Sequence, residues 1–102
     1  MRFLAKIFWL APSEGGRKKL PTLSEYRSVT RFEEDPEFKR GSWDIIVRFE
    51  ERPTEAHRES RAWVSFVSAK APKSLLHHGS RFFLTEGRKT VARGEIIGPT
   101  QT

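Results

Sequence analysis

The feature that most constrains this chain is the spacing of its apolar residues, which recur at every second position in several short segments. The pattern is clearest where mostly polar residues separate Trp43, Ile45, Val47 and Phe49. Because successive side chains of an extended chain point to opposite faces, this period of two predicts a half-buried β-strand.

Five further segments predict strands, at about residues 3–10, 26–34, 62–66, 82–84 and 91–97, and Pro and Gly residues separate them. One helical turn is expected near Ser74–His77, before Gly79. Six short strands with almost no helix favour an all-β fold, a small six-stranded antiparallel barrel whose first and last strands share a sheet. The aromatic residues are expected in the core or on the barrel surface rather than in base stacking: Trp9, Trp43, Trp63, Phe66, Phe82 and Phe83.

Length and composition limit the other possibilities. A chain of 102 residues predicts one domain over 1–102 with one modest core. No apolar run approaches the roughly 18 residues of a membrane span, and Lys6 interrupts the only stretch that could be a signal peptide. We therefore expect a monomer in the cytoplasm that contacts no membrane. The absence of cysteine excludes disulfides and thiolate chemistry.

Charge is distributed unevenly along the chain, whose net charge is +6. Residues 1–30 carry a net charge of +4, residues 31–60 carry −3 and residues 61–102 carry +5. If the two basic ends pair in space, they form a cationic surface suited to nucleic acid or to an acidic protein.

Two turns combine glycine with cations. Residues 13–19 read Ser-Glu-Gly-Gly-Arg-Lys-Lys, and residues 86–89 read Glu-Gly-Arg-Lys. Glycine permits tight turns and close backbone approach, and the cations attract phosphate or carboxylate. The sequence predicts that both turns form one exposed site, with Gly15 and Gly16 as turn glycines and the cations Arg17, Lys18, Lys19, Arg88 and Lys89.

The loop from Ala11 to Glu25 is longer than a usual hairpin connection. Its apolar residues Leu20, Pro21 and Leu23 are expected to fold back onto the barrel.

Catalytic, metal and cofactor motifs were not found in the sequence. The histidines His57, His77 and His78 lack metal-ligand spacing, and the acidic residues of segment 33–37 favour a solvated turn over a hard-cation site. There is no Gly-x-Ser-x-Gly elbow and no Gly-x-x-x-x-Gly-Lys-Ser/Thr phosphate loop. We expect no enzymatic activity, no cofactor and no nucleotide binding.

The order of motifs resembles the C-terminal (third) β-barrel domain of translation elongation factor Tu. In that family a Glu-Gly-Gly-Arg turn follows the first strand, as residues 14–17 do here, and a Gly-Tyr-Arg precedes the second, compared with Glu25-Tyr26-Arg27. The family's closing segment, Gly-Leu-Arg-Phe-Ala-Ile-Arg-Glu-Gly-Gly-Arg-Thr-Val-Gly-Ala-Gly, is similar to residues 79–94. The resemblance covers residues 2–32 and 61–97. Segment 33–60 matches poorly.

The resemblance implies a freestanding barrel without the GTPase domain. The family domain contacts the T-stem of aminoacyl-tRNA and packs against protein partners. Its RNA-contacting turns correspond to Arg17 and Lys18 and to Glu86 and Gly87, and a family lysine lies near Lys70 and Lys73, with a spacing that differs by one residue. Arg88 stands where the family has a second hairpin glycine.

Two functions follow as hypotheses. The first is a module that binds structured, tRNA-like RNA through phosphates. The second is a protein-interaction module that imitates the translation factor domain and binds a translation factor, a toxin or a regulator. The basic charge favours RNA, whereas the acidic segment 33–60 favours a protein partner.

Overall fold

The structure, a computed structural model, describes residues 1–98 in full and the backbone of residues 99–101. Thr102, the last residue of the predicted domain, lies outside the described residues. Six strands follow one another along the chain: β1 (Arg2–Trp9), β2 (Glu25–Phe32), β3 (Trp43–Glu51), β4 (Glu59–Phe66), β5 (Arg81–Glu86) and β6 (Lys89–Gln101).

The strands form a closed antiparallel barrel in the order β1-β4-β3-β2-β5-β6. The barrel closes where β1 pairs with β6, so the first and last strands are neighbours as the sequence predicted. The all-β, six-stranded antiparallel barrel is confirmed. Within residues 1–101, no helix is long and apolar enough to cross a membrane.

The barrel interior is filled by the residues that the alternation placed on one face. In β1, Ala5, Ile7 and Trp9 are fully buried, and in β3 Ile45 and Val47 are also fully buried. The indole Nε1 of Trp9 donates a 3.0 Å hydrogen bond to Ser60 Oγ, so the largest core side chain has no unpaired polar atom. The remaining fully buried apolar strand residues are Ala62, Val64, Phe82, Leu84, Val91, Ala92 and Ile96.

Two strands depart from simple alternation, and the first is β3, where Ile46 is buried as well as Ile45 and Val47. The adjacent residues Val91 and Ala92 are both buried because the β5–β6 register shifts at Leu84/Thr85. The predicted single turn is present as a 3₁₀ turn at Lys73–Leu75, and a second 3₁₀ turn that the sequence analysis did not predict covers Pro12–Glu14.

Most of the long β1–β2 loop folds back as expected. Leu20 packs against the core and Pro21 is buried, whereas Leu23 is 73% exposed, so the prediction for Leu23 was wrong. Of the aromatic residues assigned to core or barrel surface, Trp9 and Phe82 are buried, and Trp43, Trp63, Phe66 and Phe83 are half-buried.

Candidate functional site

The antiparallel order assigns each connection to one end of the barrel. One end, which we call the cationic end, carries loops 10–24 and 52–58 and the turn at residues 87–88. Loops 33–42 and 67–80 lie at the opposite end. The cationic end carries six Lys/Arg residues and two Glu in its connections, whereas the opposite end carries four of each sign. The loops of the cationic end therefore carry a net positive charge, and the strand residues that flank them add one cation, Lys89, and four glutamates, Glu25, Glu51, Glu59 and Glu86.

The two glycines of the β1–β2 loop have different structural requirements. Gly15 ends the Pro12–Glu14 turn with a φ of 91°, a left-handed conformation that favours glycine. Gly16 is buried, and a Cβ there would lie 2.0 Å from the carbonyl oxygen of Leu10, the residue that follows β1. The double glycine thus turns the chain sharply and lets residues 17–19 emerge at the cationic end.

The β5–β6 hairpin has a two-residue turn, because Glu86 pairs directly with Lys89. Gly87 occupies the first central position with a φ of 62°, where a type II′ turn takes glycine. Its neighbour Arg88 is exposed. The hairpin therefore presents Arg88 and Lys89 at the same end as the β1–β2 loop.

A hydrogen-bonded cluster joins the two turns. Arg17 Nε lies 3.3 Å from Glu86 Oε2, and the Tyr26 hydroxyl donates a 2.5 Å hydrogen bond to the same oxygen. The Arg17 guanidinium lies over the Tyr26 ring, 5.3 Å from its centroid. The Tyr26 ring meets Trp9 edge-on at 5.1 Å, which connects the cluster to the core.

This cluster changes the roles of its members. Burial, aided by the hydrogen bond and negative charge of Glu86, raises the pKa of the Tyr26 phenol well above its ordinary value, so Tyr26 stays a donor. The Glu86 carboxylate accepts the hydrogen bond of Tyr26 and forms an ion pair with Arg17, so the positive charge of Arg17 is largely balanced within the cluster. These residues hold the two turns together rather than presenting free charge.

Four other cations at this end remain available. The side chains of Lys18, Lys19, Arg88 and Lys89 are exposed, and none forms an ion pair with any residue that the structure describes. The two predicted turns therefore meet at one structural cluster, and four exposed cations without an ion pair lie beside it. Beside it lies a groove of about 420 Å³ whose lining includes Lys19, Pro21, Leu23 and Tyr26.

Lys70 and Lys73 do not belong to this site. They lie in loop 67–80 at the opposite end, because β4 runs away from the cationic end before that loop begins. A strand of eight residues in a tilted barrel separates the two ends by about 20 Å. The structure does not bring these lysines together with Arg17 and Arg88, because sequence spacing cannot indicate the end at which a loop lies. Their role in binding stays a prediction.

A third loop contributes to the cationic end, and the sequence analysis missed it. The Arg52 guanidinium donates a hydrogen bond to the carbonyl oxygen of Thr22, and Arg58 Nη1 donates one of 3.2 Å to the carbonyl oxygen of Leu10. These bonds fasten loop 52–58 to the β1–β2 loop. No motif signals them, since the acceptors are backbone atoms distant in sequence.

The acidic turn after β2 is structural. The Asp35 carboxylate is buried and accepts hydrogen bonds from the backbone N–H groups of Lys39 and Arg40, at 2.9 and 2.8 Å. Within the described part of the chain, no three His, Cys, Asp or Glu side chains are grouped so that they could hold a metal ion. The turn is therefore less solvated than predicted, because Asp35 satisfies the backbone of the loop that follows it.

Comparison with models of known protein families and with curated protein sequences found no match to this chain. The functional argument therefore rests on the site itself.

Proposed function

We propose that this protein is a non-enzymatic module that binds structured RNA, such as a tRNA-like stem, through its cationic end. The observation that carries the proposal is the convergence of two glycine turns around the Arg17–Glu86 contact, with four exposed cations left unpaired beside it. The fold class is consistent with the resemblance to the elongation factor Tu barrel, and the resemblance itself remains a prediction. We further propose a cytoplasmic location and a role connected with translation.

The chemistry of this end suits phosphates better than base edges. The base edges of an A-form stem are hidden in a deep and narrow groove, so stems are recognised by shape and backbone charge. Lys18 and Lys19 on one loop and Arg88 and Lys89 on the hairpin provide charge at two points held by one rigid cluster. Two such points allow contact with phosphates on both sides of a groove.

The decisive experiment compares two double variants that remove the same charge from opposite ends. Lys18→Ala with Arg88→Ala removes two cations from the cationic end, and Lys70→Ala with Lys73→Ala removes two from the opposite end. Binding weakens as salt rises, and each lost phosphate contact should reduce the magnitude of the slope of log K against log salt by about 0.9. We expect the first variant to bind a labelled RNA hairpin more weakly, with a slope lower by about 2, and the second to behave as wild type.

Three results would refute the proposal. The wild type could fail to bind the hairpin at low salt, the first variant could keep the wild-type slope, or both variants could lose slope equally. Exposed charges contribute little to stability, so both variants should unfold at nearly the wild-type denaturant concentration.

One observation favours the alternative, a protein partner. Leu23 is 73% exposed and lines the groove beside Lys19, and an apolar anchor among cations suits an acidic protein better than RNA. Leu23→Ser should leave hairpin binding unchanged if RNA is the partner. If the wild type binds no RNA, this alternative becomes the better hypothesis, and Leu23→Ser should then weaken capture of the acidic partner.

A further inference from the structure

A row of alternating arginine and phenylalanine side chains crosses the outer wall of the barrel. Direct cross-strand partners form the row on four neighbouring strands: Arg31 on β2 faces Phe83 on β5, Phe83 faces Arg93 on β6, and Arg93 faces Phe8 on β1. Three inter-strand spacings make the row about 14 Å long. We call it the Arg–Phe row.

Each guanidinium of the row stacks on a ring. The Arg31 guanidinium carbon lies 4.9 Å from the Phe83 ring centroid, and that of Arg93 lies 4.7 Å from the Phe8 centroid. Neither arginine forms an ion pair with a residue that the structure describes. A stacked guanidinium keeps its second face and its in-plane N–H donors available to a ligand.

The opposite wall of the barrel supplies carboxylate partners to one arginine and one tryptophan. There Arg48 Nε pairs with Glu25 Oε1 at 2.9 Å, and the Trp63 indole donates a 2.8 Å hydrogen bond to Glu50 Oε1. Arg61 on the same wall forms no ion pair with a described residue, and the Arg2 guanidinium stacks on Trp63, 4.5 Å from its ring centroid.

A shallow depression of about 340 Å³ lies beside the row, and its lining includes Phe8, Phe83, Arg93 and Lys6. Lys6 forms no ion pair with a described residue. Two carboxylates in the lining lie 3.9 and 4.0 Å from Arg81, and a third, Glu59, lies beside Phe8. The lining therefore carries three cations and three carboxylates. Its cations that form no ion pair are Arg93 and Lys6, and Arg31 lies at the end of the row on β2.

We propose that the Arg–Phe row is a second binding site, specific for unpaired nucleotides of single-stranded nucleic acid. Bases stack on guanidinium planes and phenylalanine rings, and the phosphates between them are attracted by the neighbouring cations. A nucleotide matches the row because it supplies both negative charge, on its phosphate, and a planar ring that can stack, on its base. Acidic side chains supply the negative charge without a planar ring, and a neutral aromatic molecule supplies the ring without the charge. The site is distinct from the cationic end, which binds paired stems.

The test uses a short uridine-rich oligonucleotide that forms no stem and carries one fluorescent purine analogue whose emission falls on stacking. Arg93→Lys keeps the charge and removes the planar group, and Phe83→Leu keeps an apolar side chain and removes the ring. Arg48→Lys makes the arginine change on the opposite wall and serves as the control. We expect the first two variants each to weaken binding by about 5-fold or more and to reduce the quenching. Arg48→Lys should match wild type, and Arg93→Lys should keep the wild-type salt slope.

The proposal is overturned if wild type fails to bind or to quench the oligonucleotide at low salt, or if Arg93→Lys binds and quenches as wild type does. If Phe83→Leu does not fold, Arg93→Lys alone decides. The Lys18→Ala with Arg88→Ala variant separates the two proposals, because it should lose hairpin binding and keep oligonucleotide quenching. Loss of quenching in that variant, with Arg93→Lys unaffected, would assign single strands to the cationic end and refute the row.

Discussion

Replacing Gly94 by alanine should destabilise the barrel although Gly94 lies in a regular strand. Gly94 on β6 pairs directly with Phe82 on β5, and the Phe82 ring fills the space that a side chain at Gly94 would need. A Cβ built on Gly94 would lie 2.4, 2.5 and 3.0 Å from three carbons of that ring. Since Phe82 is fully buried, the ring has no solvent into which it can move.

The magnitude follows from overpacking. Forcing an extra carbon into a packed core costs about 1–3 kcal/mol, and the separations near 2.4 Å place Gly94→Ala toward the upper part of that range. Phe82→Leu alone should cost about 2 kcal/mol, because it removes roughly three buried carbons. The double variant should be more stable than the sum of the two losses predicts, by about 1 kcal/mol or more, since the smaller side chain relieves the overlap.

Urea unfolding followed by tryptophan fluorescence gives the four free energies of unfolding of this cycle. Gly87→Ala is the matched control, because a Cβ there meets nothing within 4 Å and only the φ of 62° opposes it, at about 1 kcal/mol. If the two losses add to within about 0.5 kcal/mol, the Phe82 ring is not the obstacle and the reasoning fails.

Three further predictions follow from the loops. Gly16→Ala should destabilise the protein more than Gly15→Ala in urea unfolding. The new Cβ at position 16 would overlap a backbone carbonyl, whereas at position 15 only the left-handed backbone conformation opposes alanine, at about 1 kcal/mol. Tyr26 is the only tyrosine, and its phenolate absorbance should appear above the ordinary pKa of 10.0 because burial disfavours the charged form. The unfolded chain then loses this proton first, so the free energy of unfolding should fall as pH rises above 10 and should fall less in Tyr26→Phe. His77 Nε2 donates a hydrogen bond to the Glu34 carboxylate, which raises the pKa of His77 above 6.5. The resulting stabilisation is present below pH 6.5 and is lost as pH rises through the folded-state pKa, and Glu34→Gln should lower the midpoint of His77 in an NMR titration.

Each of these has a clear contrary result. Equal losses from the two alanine variants would show that Gly16 is not in close contact with Leu10. A tyrosine titration at the ordinary pKa would mean that the phenol is solvated. An unchanged His77 midpoint in Glu34→Gln would mean that the two side chains do not interact in solution.

Some of this protein can be predicted from local patterns alone. The alternation of Trp43, Ile45, Val47 and Phe49 predicted a half-buried strand, because the direction of each side chain in an extended chain depends only on its position along that chain. The positive φ angles of Gly15 and Gly87 also follow from local sequence, since a tight turn restricts the backbone angles of the residues that form it. The strand number and the two glycine turns were therefore accessible from the sequence.

The composition of the site was decided by the tertiary structure. Tyr26 and Glu86 are 60 residues apart, and their hydrogen bond exists because β2 and β5 are neighbours and both reach the cationic end. The same strand order places Lys73 at the other end and aligns Arg31, Phe83 and Arg93 in one row. Strand order and register depend on how the whole core packs. For that reason, the residues of a segment are enough to predict that it forms a strand. Which side chains lie next to each exposed charge depends instead on how the barrel closes.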